Sequence, residues 1–450
     1  MTAPESPTTG EIPAPSVAGR LLWGLIAAGL AVSFFVQAHG VDGDGRLRFD
    51  TLQALLGGGG IPTTKYPLIG SLPAIPLILL GHVIASPEWW VARYNVLVYA
   101  AGLGLLFGLL RGRLPADVLA AFLLLLGTTA MFPNSLSGFG AETFSAMAVA
   151  TGLVAWTGGR WKAGAVLLAA GVANQPATLV GLALALGWWA WRMKRARAAV
   201  PVVLAAALWM LDNLIRRGSP LTSGYESDHG FQTLLPFSGL PGFSYPTLFG
   251  AGSLILSSGK GLLFFTPGLT LLLGRGLEPL HQVRDVLMMW LLYLAGLVAV
   301  YGTWWAWYGG YSWGPRFLLF ASLPATLLLA TFVRRAPRGL VPATLVLLML
   351  ALSVWAGIDG QTYGLNAQST CTANHYFLES FCWYVPEFSV LWTPFVFQAP
   401  FSWRYPAIFI YAVGVSVFVG WPLIAQWASA VRRQSAAAWS AYRARPAWRF

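Results

Sequence analysis

The sequence predicts an all-α fold, a polytopic transmembrane helical bundle of about twelve spans, and three observations carry that reading. Of 450 residues, 56% are hydrophobic and only 10% are charged, against roughly 25% charged in a soluble domain. Apolar runs of about 16 to 22 residues recur between short polar stretches, as expected of helices that satisfy their backbone inside a bilayer. The 22 tryptophans suit the bilayer interface, where an indole meets both apolar and polar surroundings.

Residues 1–18 are rich in Pro, Ser and Thr and predict a disordered cytoplasmic N-terminus without a cleavable signal pattern. Spans are predicted at 20–38, 89–110, 115–133, 142–157, 163–175, 177–191, 199–214, 261–274, 285–305, 316–333, 339–357 and 404–427. The pair around Asn174-Gln175-Pro176 reads either as two spans or as one broken helix. Segment 66–84 is apolar but carries Pro67, Pro73 and Pro76, so it reads as an interfacial or re-entrant piece. With that choice the clusters Arg111/Arg113, Arg160/Lys162, Arg192/Lys194/Arg195/Arg197, Arg275/Arg284 and Arg334/Arg335/Arg338 share one side with both termini. Basic loops mark the cytoplasmic face, so both termini are expected inside a plasma membrane. The net charge of +12 then reports topology, and nucleic acid is not expected as a partner.

Three outer segments, 39–88, 215–260 and 358–403, are long enough to build a site. The chain divides into a transmembrane core at 19–335, C-terminal spans at 336–430 and a basic cytoplasmic tail at 431–450. Cys371 and Cys382 both fall in the last outer segment, and an oxidising compartment predicts a disulfide between them.

The polar stretch Val41-Asp42-Gly43-Asp44-Gly45-Arg46-Leu47-Arg48-Phe49-Asp50 follows the first span directly. Flanking glycines let the backbone approach a ligand, and a partly desolvated carboxylate can act as a general base or hold a metal ion. Asp42 and Asp44 are the candidate catalytic groups, with Asp50 in support, and a divalent metal stays open. Arg46, Arg48, Lys65, Arg93, Lys260 and Arg316 are cations expected outside, where a lipid phosphate is one partner that would retain them, and Lys65, Arg93, Lys260 and Arg316 are the candidates to hold it. Lys260 lies in Ser257-Ser258-Gly259-Lys260-Gly261-Leu262, which lacks the glycine and Ser/Thr positions of a P-loop. Arg316 ends an aromatic, Gly-rich run that includes Tyr311 and Trp313. Those two, with Tyr66 and Glu142, are candidates to touch substrate; a carboxylate such as Glu142 at a span's end has either a functional or an interfacial role.

Taken in order, several of these segments resemble the GT-C superfamily, and more narrowly glycosyltransferase family 39-like proteins that use polyprenyl-phosphate sugars. The segments are Asp42-Gly43-Asp44-Gly45, Lys65-Tyr66-Pro67-Leu68, Arg93-Tyr94-Asn95, Gly259-Lys260-Gly261-Leu262-Leu263-Phe264-Phe265-Thr266-Pro267 and Trp313-Gly314-Pro315-Arg316-Phe317-Leu318. The resemblance spans about residues 20–335 and implies a juxtamembrane helix in the first outer loop. It implies a first-loop carboxylate, Asp42 or Asp44, activating the acceptor, and Lys65, Lys260 and Arg316 beside the donor phosphate. Arg46-Leu47-Arg48 replaces the acidic and aromatic residues usual after the first Asp. The expected partners are a lipid-linked sugar donor, membrane lipids, and a glycan, lipid or protein acceptor in the bacterial cell envelope, met on the outer face. A twelve-span transporter and an inactive envelope scaffold are the competing readings.

Overall fold

A computed structural model of the chain describes residues 17–226, 228–364, 369–372, 375–396 and 401–443. The expected disordered N-terminus lies outside these residues up to position 16, and the basic tail lies outside them from 444. Helix α1 (Val17–Ala31) runs into a π-type turn over Val32–Val36. It is followed by the short helices α2 (Gly43–Leu56) and α3 (Ile75–Gly81). Then come α4 (Tyr94–Leu110), α5 (Ala116–Leu126), α6 (Glu142–Thr157), α7 (Trp161–Asn174), α8 (Leu179–Met193) and α9 (Ala199–Arg217). Helices α10 (Thr247–Leu256), α11 (Arg284–Tyr301), α12 (Ser322–Arg334), α13 (Leu340–Thr362) and α14 (Tyr405–Arg443) complete the set. Among the described residues the only β pairing is three isolated bridges.

Among the described residues seven segments are long and apolar enough to cross a membrane: Gly19–Val36, Pro87–Leu110, Ala196–Arg217, Glu278–Tyr301, Arg316–Arg334, Leu340–Thr362 and Tyr405–Ser440. Four of the other expected spans hold single shorter helices, α5, α6, α7 and α8. α6 buries almost every side chain against other helices, so protein encloses it where lipid would otherwise set its length. The predicted span at 261–274 is broken instead of continuous. Leu262–Phe265 is one α-turn, Thr266 leaves helical geometry, and a 3₁₀ segment, Pro267–Leu273, follows. Proline lacks the N–H and disfavours helix in the residue before it. Pro176 has the same effect, so α7 and α8 are two helices separated at Gln175. The C-terminal helix runs well past the expected 427, because the Ala-rich segment that follows favours helix.

Small residues allow close helix contacts, the usual basis of association inside a membrane. Gly181 of α8 meets Gly296 of α11 backbone to backbone, and Gly164 of α7 faces the Gly152 carbonyl of α6. One large apolar core runs through the bundle. A second, small cluster of Phe49, Leu52, Ala74, Ile78, Val91, Tyr94 and Phe139 lies under α2. It follows from the α2 sequence: Gly45, Arg48, Phe49 and Leu52 are buried, a helical i, i+3, i+4, i+7 stripe.

Candidate functional site

The buried stripe fastens α2 against α3, α4 and the loop before α6, and this fixes the first turn of α2. Gly45 lets that turn approach the Phe139 carbonyl; a Cβ there would lie 3.1 Å from it. Asp44, in this turn, is held on both oxygens. Tyr66 donates its hydroxyl to Oδ1 at 2.6 Å, and Arg316 Nη1 pairs with Oδ2 at 2.9 Å. The same Arg316 nitrogen is 3.8 Å from Oε1 of Glu142, at the start of α6. Burial raises the Asp44 pKa, but the Arg316 charge and the hydrogen bonds from Tyr66 and Arg316 outweigh it, leaving the carboxyl below its ordinary 3.8. Tyr66 moves upward, through burial first and then through Asp44, so it stays a neutral donor.

One helical turn after Asp44 lies Arg48, only 6% exposed. Its Nη1 donates to the Pro67 carbonyl at 2.9 Å, its guanidinium lies 4.9 Å from the Tyr66 ring centroid, and its Nε has no partner. Burial lowers its pKa and the charges of Glu142 and Asp44 oppose that, yet no carboxylate pairs with it among the described residues. A buried guanidinium without an ion partner is costly; the Nε of Arg316, which holds Asp44, is likewise unpartnered.

Segment 64–68, which carries Lys65 and Tyr66, is clamped from the end of α9. Asp212 and Arg216 form a buried ion pair at 2.7 Å. Asp212 Oδ1 accepts the Leu68 N–H at 3.2 Å, and Arg216 Nη1 donates to the Thr64 carbonyl at 2.8 Å. Arg217 also donates to that carbonyl and is fixed by Asn213. Lys65 pairs with Asp228 at 2.7 Å and lies over the Tyr66 and Tyr225 rings.

Arg316 is positioned by a turn fixed from two sides. Lys260 is 1% exposed and donates to the Ser312 carbonyl at 2.5 Å and the Gly314 carbonyl at 3.2 Å. Trp313 is buried, and its indole N–H donates to Oδ2 of Asp359 at 2.6 Å. The disulfide between Cys371 and Cys382 is formed, with Cα atoms 6.0 Å apart. It supports the short helix Glu379–Tyr384, on which the Lys260 turn rests. The Gly259 N–H donates to the Trp383 carbonyl at 3.0 Å, and a Cβ at Gly259 would collide with the Cys382 carbonyl. Glu379 is the counter-charge of Lys260. Burial pushes Glu379 up to about 7 and Lys260 down to about 7, and each partly offsets the shift of the other.

The structure thus brings Asp44, Tyr66, Glu142 and Arg316 into direct contact, with Lys65 at their edge. Asp42 is separated from them: it is exposed, stands just before α2, and its side chain makes no capping hydrogen bond. Lys260 is buried under the Arg316 turn, with its ammonium donating to that turn's carbonyls, and Trp313 is committed to Asp359. As placed, both shape the turn and offer nothing to a ligand. Tyr311 is 47% exposed on the same turn. Arg93 lies elsewhere, with Nε donating to the Phe34 carbonyl and Nη1 to the Trp89 carbonyl. Arg46 and Asp50 pair with each other at 2.9 Å on the outer face of α2. Sequence reasoning counted Arg48 among the outer cations without giving it a site role and missed Asp359 and Glu379; only Arg48 had a further local signal, its i+4 spacing from Asp44. Among the described residues no three His, Cys, Asp or Glu side chains group as a metal site, and the nearby carboxylates Asp44 and Glu142 face a guanidinium.

No family model and no curated relative matches the sequence. Among solved structures, the fold is similar to the crystal structure of ArnT from Cupriavidus metallidurans bound to undecaprenyl phosphate. The TM-score is 0.50 and the identity 12%, over 91% of this chain and 77% of that chain. At that identity the likeness is one of fold alone.

Proposed function

We propose that the protein is a membrane glycosyltransferase that moves a sugar from a polyprenyl-phosphate donor to an acceptor hydroxyl at the α2 end of the bundle, on the outer face of the membrane. The observation that carries the reading is the Asp44 carboxylate held between Tyr66 and Arg316, with the guanidinium of Arg48, its Nε unpartnered, one helical turn along α2. Proton acceptor and phosphate-binding cations then lie within one side chain of each other, as a displacement at a sugar–phosphate bond requires.

The proposed step is a single displacement. The acceptor oxygen bonds to the anomeric carbon as its proton passes to Asp44, and the bond from that carbon to the phosphate oxygen breaks. The electron pair leaves with the polyprenyl phosphate, and the anomeric centre inverts. Arg316 and Arg48 meet the charge that develops on the leaving phosphate, with Lys65 at the rim. Asp44 is a weak base while Arg316 holds it. Burial is the largest influence on this carboxyl and acts to raise its pKa, so a donor phosphate that draws Arg316 away leaves a stronger base behind. The Asp212–Arg216 pair, Lys260 and Asp359 position the loops that carry Tyr66 and Arg316.

The support from the fold is that a GT-C neighbour was crystallised with undecaprenyl phosphate. The test is sugar transfer by the purified full-length protein from a panel of radiolabelled polyprenyl-phosphate sugars to envelope acceptors. Release of polyprenyl phosphate that depends on both protein and acceptor is expected. Absence of turnover with every donor, from a protein shown to be folded, counts against transfer.

A further inference from the structure

At the end of the bundle where α2 lies, but sharing no contact residue with Asp44 or Arg316, a second group of cations stands without counter-charges among the described residues. Arg93 precedes α4 and Arg404 precedes α14, and the two are within electrostatic reach of each other. Arg93 spends Nε and Nη1 on backbone carbonyls, lies 3.8 Å from the Trp89 ring centroid and 5.6 Å from that of Phe34, and keeps Nη2 free of hydrogen bonds among the described residues. The Arg404 guanidinium makes no hydrogen bond among the described residues and lies 5.6 Å from the Trp403 ring centroid. The nearest acidic residue in sequence, Glu88, pairs with Arg46 at 2.5 Å. His39 lies within electrostatic reach of both, its two ring nitrogens 2.7 Å from the Ser33 carbonyl and 3.1 Å from the Ala92 carbonyl; burial first, then Arg93 and Arg404, lower its pKa, while those two backbone bonds oppose them. Phe35 (its ring packed on Phe34), Trp403 and Phe401 (its ring packed on Tyr405) are 69%, 74% and 79% exposed.

Two like charges held together without a carboxylate repel each other, and an anion between them removes that cost. Exposed aromatic rings next to them mark the level of the lipid head groups. We propose that Arg93 and Arg404 form a binding site for the phosphate of an anionic phospholipid in the surrounding leaflet, with the acyl chains lying along Phe35, Phe401 and Trp403. Bidentate guanidinium–phosphate contacts suit both arginines, and the two positive charges select an anionic head group over a zwitterionic one. The site lies apart from the proposed transfer site, so it stands or falls independently of that reading.

The test is native mass spectrometry of the delipidated full-length protein with phosphatidylglycerol, phosphatidylcholine, polyprenyl phosphate or inorganic phosphate. Arg404→Gln is the main variant, because removing a guanidinium that bonds to nothing leaves the fold intact; melting temperatures check this. Arg404→Gln is expected to reduce retention of phosphatidylglycerol about tenfold, Arg93→Gln/Arg404→Gln further, and Arg316→Gln to leave it unchanged. Equal retention of phosphatidylglycerol by Arg404→Gln and wild type overturns the site, as does equal retention of phosphatidylcholine. Binding of inorganic phosphate alone, or retention of polyprenyl phosphate only, assigns the arginines to a different ligand and also overturns it.

Discussion

Replacing Asp44 by Asn isolates the group on which the proposed chemistry depends. The amide keeps the size of the side chain and an acceptor for the Tyr66 hydroxyl at 2.6 Å. It loses the charge that faces Arg316 at 2.9 Å and the capacity to take a proton. The ion pair is about one-third exposed on each side, so its loss costs about 1 kcal/mol of stability or less and the variant folds. Loss of a general base lowers the rate by about 10² to 10⁴, equivalent to about 3 to 5 kcal/mol in the transition state. The assay follows labelled sugar from a polyprenyl-phosphate donor to acceptor, with purified wild type, Asp44→Asn and Asp42→Asn at equal folded fraction. Asp42 is exposed and caps α2 only through its backbone, so its variant should stay within about twofold of wild type. An Asp44→Asn protein that keeps more than a tenth of wild-type transfer would refute the reasoning, as would an equal loss in Asp42→Asn.

Three further outcomes follow from the surroundings of the site. Removing the Cys371–Cys382 bridge by Cys371→Ser/Cys382→Ser should cost about 3 kcal/mol, as for a short closed loop; a reductant should lower the wild-type melting temperature and leave the variant's unchanged. Asp212→Leu leaves the buried Arg216 guanidinium alone and should cost about 3 to 5 kcal/mol, read as a lower unfolding midpoint, whereas a mere interfacial carboxylate would give almost no shift. Glu379 has a folded pKa of about 7, raised by burial above its ordinary 4.5. The stability it contributes is therefore complete below pH 4.5 and lost as pH rises through 7. Melting curves between those values should fall for wild type relative to Glu379→Gln; parallel curves would show that Glu379 is not buried as described.

The helices were legible because membrane helices carry their signal in unbroken apolar runs, as in α4, α11 and α13. The position of α2 was legible too: Asp44 and Arg48 directly follow a span, and the Gly45, Phe49, Leu52 stripe needs something to cover it. Span length was harder to read. Whether protein or lipid surrounds a helix such as α6 is a tertiary property, and Pro176 and Pro267 convert continuous apolar runs into broken ones. For the site, Asp44, Tyr66, Glu142 and Arg316 were identifiable as polar groups in apolar surroundings. That they meet across a sequence separation of hundreds of residues was not. Lys260 and Trp313 have local sequences suited to a ligand, yet burial turns both inward onto the Arg316 turn. Asp359 sits within an apolar run and Glu379 beside the disulfide, and no spacing rule connects either one to the site. The separation of Arg93 from Asp44 likewise depends on which face of α4 meets Phe34 and Trp89.

The most direct measurement is an experimental structure of the full-length protein with polyprenyl phosphate at neutral pH. The account predicts the phosphate against Arg316 and Arg48 beside Tyr66, with the Arg316 guanidinium withdrawn from Asp44 and the carboxylate left open toward the acceptor side. A phosphate bound elsewhere, with the Asp44–Arg316 pair intact, would contradict it.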